Sequence, residues 1–150
     1  MNVAAILEEC ARRGIRLRVD GERIIARPLS AVAPDLREAA SEHKAELIEA
    51  IQASEALLVL DRLKTFSLPN GRLSAAREIA QRCGARLVRW ENGEPADEAD
   101  DPSSILAVLR DIERELVALG GAPDPELAKT VETVKRSFPG SRLVDVRTLN

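Results

Sequence analysis

Arg13-Gly14-Ile15-Arg16-Leu17-Arg18-Val19-Asp20-Gly21-Glu22-Arg23-Ile24-Ile25-Ala26-Arg27-Pro28 (residues 13–28) decides the fold of the first part of this chain. Apolar and basic residues alternate around Asp20-Gly21, the period of strands whose two faces meet different surroundings. Asp-Gly between two such runs predicts a hairpin with strands over 15–19 and 22–27. Its type I′ turn would be centred on Asp20-Gly21, because that turn needs positive φ at both central residues. Ile15, Leu17 and Val19 fall on one face, Arg16 and Arg18 on the other. Ile24 and Ile25 are adjacent, so one of them must point away from the core and stand beside the arginines. Pro28 closes the run, having no N–H with which to continue a ladder.

Helical patterns flank the hairpin. Val3, Ile6, Leu7 and Cys10 recur at i, i+3, i+4 and i+7 in a helix over about 3–13, and Gly14 suits the left-handed position after it. Pro34 and Asp35 open a second helix, with Leu36, Ala40, His43, Leu47, Ile48 and Ile51 as its inner stripe. That helix either continues through Leu57, Leu58 and Leu60 to Lys64 or breaks near Ala53-Ser54. Ser67-Leu68-Pro69-Asn70-Gly71 reads as a linker, which divides the chain into residues 1–66, a linker over 67–71, and residues 72–150.

In the last part a helix from Ser74 is expected to end at Cys83-Gly84, followed by a strand over 85–90. Residues 81–87 then echo the helix-Gly-strand grammar of residues 11–17. Glu91, Glu94, Asp97, Glu98, Asp100 and Asp101 mark an exposed acidic loop over 91–101. Ile105, Leu109, Ile112, Leu116 and Leu119 predict a helix begun by Asp101 or Ser103 and ended by Gly120-Gly121. A last helix spans about 125–137, and 143–146 offers an edge strand. The fold class is α+β: a small helix-hairpin-helix module, then a mostly helical C-terminal region with one or two short strands.

Composition narrows the function. Aromatic residues make up 2% of the chain (Phe66, Trp90 and Phe138), too few to stack single-stranded bases. A net charge of −3 gives no general attraction to phosphate backbones or anionic membranes. His43 is the only histidine and lies on the apolar stripe, and no CxxC occurs, which argues against a metal site. Neither GxxxxGK[ST] nor GxGxxG is present, so no cofactor is expected. With no carboxylate pair in an apolar setting, the reading is non-enzymatic. Cys10 and Cys83 read as reduced thiols of a cytoplasmic protein, and no apolar run approaches the ~20 residues that span a bilayer. Residues 77–84 carry the turn grammar of a helix-turn-helix. The segment after them holds Gly93 and Pro95 and is acidic, which favours a plain capped helix.

The basic cluster has direction. Within residues 12–27, Arg12, Arg13, Arg16, Arg18, Arg23 and Arg27 stand against Asp20 and Glu22, an excess of four positive charges in an acidic chain. Arginine on an edge strand also blunts aggregation. An acidic peptide adding a strand to such a hairpin would gain backbone hydrogen bonds and arginine–carboxylate pairs.

Leu7, Arg13-Gly14-Ile15-Arg16-Leu17, Asp20-Gly21, Arg23-Ile24, Pro34-Asp35-Leu36-Arg37 and His43-Lys44-Ala45-Glu46-Leu47-Ile48 together resemble the TubC N-terminal docking-domain family over residues 2–52. Pro28-Leu29-Ser30-Ala31 stands where that family usually has a Gly-containing link, and Ala33 where a capping Thr is usual. The resemblance implies a helix, a hairpin and two helices, and a homodimer. Its exposed hairpin would receive a short acidic C-terminal segment of an upstream synthetase subunit. Carried over by position, the partner-binding residues are Arg16, Arg18, Glu22, Arg23, Ile24, Ile25 and Arg27. Leu47, Ile48, Ile51, Leu57 and Leu58 are the candidate dimer seam, since so small a domain gains by burying a second apolar face. The expected function is a docking or adaptor protein that binds a protein partner. The alternative is a nucleic-acid-associated regulator, or a small inhibitor whose acidic loop mimics nucleic acid, from a bacterial mobile element or phage.

Overall fold

The computed structural model describes residues 1–71, 74–91, 101–138 and 141–143. The chain divides into two compact units, Met1–Ser54 and Glu55–Asn150.

In the first unit α1 (Val3–Arg12) is capped by Asn2, whose side-chain oxygen accepts from the Ala5 N–H at 2.8 Å. Gly14 sits at φ 71°, and the Ile15 N–H closes the helix end on the Cys10 carbonyl at 2.8 Å. That turn delivers the chain into β1 (Arg16–Asp20), which pairs antiparallel with β2 (Arg23–Arg27). Asp20 lies opposite Arg23, so the two central turn residues are Gly21 and Glu22, one position later than expected. Gly21 has φ 62° and no non-glycine residue among the described residues has positive φ, which fits a turn with glycine at its first central position rather than type I′. Asp20 is needed in the ladder instead, where it closes the last cross-strand pair.

A single 3-10 turn, Leu29–Ala31, connects β2 to α2 (Pro34–Glu42). Ala33 offers α2 no side-chain cap; Pro34 at its start and Asp35 in its first turn favour initiation there. The helical run breaks at His43 (φ −111°, ψ 26°), a position the sequence pattern does not mark; α3 then runs from Lys44 to Lys64, so the chain continues helical through Leu57, Leu58 and Leu60 and does not break near Ala53-Ser54. On one straight helix Leu36 and Leu47 would stand roughly 16 Å apart along the axis. The break lets both enter one core with Ile6, Cys10, Ile15 and Ile51. Leu17, Val19, Ile24 and Ala26 pack against that cluster from the hairpin.

In the second unit the rest of α3 buries Ala56, Leu57, Val59, Leu60 and Leu63, whereas Leu58 on its other side is exposed. Two short strands, β3 (Phe66–Ser67) and β4 (Ala122–Pro123), pair antiparallel and are too short to leave a periodic signal. The expected strand over 85–90 is helical: α4 runs from Ser74 to Glu91, straight through Gly84. A Cβ at Gly84 would stand 2.6 Å from Cδ2 of buried Leu60, so this glycine permits close approach of α3 and α4 rather than ending a helix. The echo between residues 11–17 and 81–87 is therefore one of letters alone, and no turn exists there for a helix-turn-helix. α5 (Pro102–Ala118) starts at Asp101, whose carboxylate accepts from the Ser103 N–H at 3.3 Å. It buries Ile105, Leu106, Leu109, Ile112 and Leu116, whereas Leu119, expected in the stripe, is 59% exposed past the helix end. α6 (Pro125–Ser137) follows β4. Most of the acidic stretch over 91–101 and of the suggested strand over 143–146 lies outside the described residues. No helix among the described residues is long and apolar enough to cross a membrane.

Gly84→Val should lower stability by about 1–3 kcal/mol through overpacking against Leu60. The change would be read as a lower urea midpoint at unchanged m. Valine at exposed Ala85 should cost well under about 1 kcal/mol.

Candidate functional site

The hairpin register sorts its side chains. Leu17 pairs with Ala26 and Val19 with Ile24, and these four face the core. Arg16 pairs with Arg27, Arg18 with Ile25 and Asp20 with Arg23, so these six share the opposite face. Ile25 is thus the outward isoleucine, half-buried among arginines, and Ile24 is the inward one. Glu22 stands exposed in the turn.

The six arginines are not equivalent. Arg12 and Arg13 hydrogen-bond Glu9, through Nε of Arg12 at 3.0 Å and Nε of Arg13 at 2.7 Å. The Arg12 hydrogen bond, helped by Arg13, holds the Glu9 carboxyl below the ordinary carboxylate range, against the opposing effect of desolvation. Arg16, Arg18, Arg23 and Arg27 make no ion pair or side-chain hydrogen bond among the described residues. Four guanidinium groups on one side of a two-stranded ribbon therefore remain available to something else.

The ribbon also has an open rim. With Asp20 and Arg23 closing a two-residue loop, the mutually hydrogen-bonded pairs are 20/23, 18/25 and 16/27. The N–H and C=O groups of Ile24 and Ala26 then point outward from β2, and no backbone partner among the described residues meets them. Beside β2 lies a groove of about 320 Å³. Its apolar lining includes Ile6, Ile24, Ala26, Val32, Leu36 and Leu47, and Arg23, Arg37 and Lys44 also border it. Leu29, 63% exposed, belongs to the same lining. Sequence reading missed Arg37, Lys44 and Leu29. Each looks like an ordinary surface residue until the 3-10 turn, α2 and the start of α3 bring Leu29, Arg37 and Lys44 alongside β2. Cys10 also lines the groove, and burial pushes its thiol pKa up despite the nearby Arg13 charge.

The proposed seam residues divide. Leu47 (0% exposed), Ile51 (5%) and Leu57 (8%) are buried within their own units, where the cores require them. Ile48 is half-buried, and Leu58, at 53% exposure, is the one of the five open to contact. His43 is half-buried at the α2–α3 break, with Nδ1 3.8 Å from a Glu46 carboxylate oxygen.

Residues 3–52, a third of the chain, match the family model of the TubC N-terminal docking domain. The match spans α1, the hairpin, α2 and the first part of α3, the elements that build the arginine face and the groove. A docking family implies a protein partner for this segment. No curated protein and no solved structure matches the chain significantly.

Because burial raises its pKa, Cys10 holds less thiolate at pH 8 than a free cysteine. Residue-resolved labelling with a thiol reagent should be about tenfold or more slower in the native chain than in denaturant. Equal rates would show that the groove floor is open to the reagent.

Proposed function

We propose that this protein is a non-catalytic docking adaptor of the cytoplasm. Its hairpin captures a short acidic segment of a protein partner by adding it as a strand along β2. The observation that carries this reading is the conjunction of four uncompensated arginines with an unpaired strand rim in the segment that matches a docking family.

Magnitudes apportion the roles. Exposed guanidinium–carboxylate pairs contribute only about 0.2–1 kcal/mol each. The arginines therefore act chiefly on encounter rate and on the choice of an acidic partner. Affinity would come from main-chain hydrogen bonds to Ile24 and Ala26 and from apolar side chains entering the groove. In an added strand alternate side chains face opposite ways. The matching segment would carry carboxylates toward Arg16, Arg18 and Arg27, and aliphatic residues toward Ile24, Val32 and Leu36. Ile25 and Glu22 would complete the contact, one apolar and the other set against a misplaced acidic residue. Of the five seam residues expected for a homodimer, Leu58 and the open side of Ile48 are the ones left for a second copy, because Leu47, Ile51 and Leu57 are buried in their own chain.

The test is fluorescence anisotropy with a labelled peptide alternating leucine with aspartate or glutamate. Arg16→Glu combined with Arg18→Glu should weaken binding about tenfold or more, equivalent to about 1.4 kcal/mol, with an unchanged melting temperature. Ala26→Pro removes one outward N–H without removing a ladder bond and should weaken binding comparably. Binding indifferent to both changes would contradict strand addition at this rim. If duplex DNA bound instead, with log affinity falling against log salt at a slope of about −3.6 for four phosphate contacts, the arginines would belong to nucleic acid.

A further inference from the structure

In the second unit one carboxylate among the described residues is buried. Asp61, on α3, is 2% exposed. Lys135 Nζ of α6 lies 2.6 Å from its Oδ2, Arg142 Nη2 lies 3.0 Å from its Oδ1, and Lys64 Nζ lies 4.0 Å from Oδ1. Neither oxygen has a donor in hydrogen-bond alignment among the described residues, so these contacts act through charge. Two of the cations tie down the segment after α6 by a second contact. Arg142 donates to the Leu57 carbonyl at 3.1 Å, and Lys64 donates to the Leu143 carbonyl.

α6 has little else to hold it. None of its residues is buried, whereas α5 buries six. Leu127, Ala128 and Val131 are half-covered, and Val134 is 44% exposed. A groove of about 390 Å³, lined by Leu58, Thr65, Ala128 and Val131, runs between α3 and α6. At its start the helix is fixed by the β3–β4 pair and by the Asp124 N–H on the Thr65 carbonyl at 2.8 Å.

We propose that Asp61 is a latch that closes α6 and residues 141–143 onto α3, and that α6 opens as a unit, about a hinge at Asp124, when the latch is released. Buried ion pairs favour such all-or-none behaviour. Together the charges satisfy one another, and loss of the Asp61 carboxylate removes the ion-pair partner of Lys135 and Arg142 among the described residues. Elements with few buried apolar contacts open at lower free energy than the global transition. Opening uncovers the groove-facing sides of Leu58 and Val131 while the cluster formed by α3, α4 and α5 stays intact.

The test is hydrogen exchange by mass spectrometry on the full chain and on Asp61→Asn. Amides of α6 should exchange about tenfold or more faster in the variant, with those of α5 unchanged. Acceleration of α5 and α6 together would make Asp61 a general support of the core and overturn the latch, as would no change in α6. Should Asp61→Asn fail to fold, Lys135→Met and Arg142→Met each remove one arm. Each should accelerate α6 selectively, and a uniform or absent response to both overturns the proposal.

Discussion

Clamping of the hairpin's inner face onto the α1–α2–α3 core is the constraint from which the first unit follows. Leu17, Val19, Ile24 and Ala26 must lie on one side to reach Ile6, Leu36 and Leu47, and the pleat then sends Arg16, Arg18, Arg23, Ile25 and Arg27 to the other. A two-stranded ribbon is marginal by itself, so its order comes from this packing. The same burial decides the fate of the edge. With α1 and α2 covering the inner face and nothing among the described residues bonded to Ile24 or Ala26, β2 keeps an open rim within a structured module.

Much of this was legible in residues 1–42. Gly14, Pro34 and Asp35 are local signals whose meaning depends on the nearest turn of chain, and alternation reports which strand face is buried. The turn was displaced by one residue because Asp-Gly and Gly-Glu both offer a glycine for positive φ. Only the pairing of Asp20 with Arg23 chooses between them. The break at His43 carries no glycine or proline, because it is imposed by two leucines converging on one core.

Gly84 shows the reverse error. Glycine after a helical run usually marks its end, but here the missing side chain makes room for Leu60 and the helix passes on. Leu47, Ile51 and Leu57 likewise looked free for a second copy because an apolar stripe does not say which surface covers it. Arg37, Lys44 and Leu29 were invisible as site residues for the complementary reason: their role depends on lying beside β2. Local chemistry is written in the sequence, and juxtaposition is not.

The family match and the hairpin with its unpaired rim fall within the same segment, residues 3–52. Residue-resolved amide exchange by NMR tests their common content most directly. The account predicts that the Arg18 and Ile25 amides are protected in the free chain while those of Ile24 and Ala26 exchange freely, and that these two become protected when an acidic, leucine-alternating peptide is added. Ile24 and Ala26 already as protected as Ile25 in the free chain would show the rim closed and contradict it.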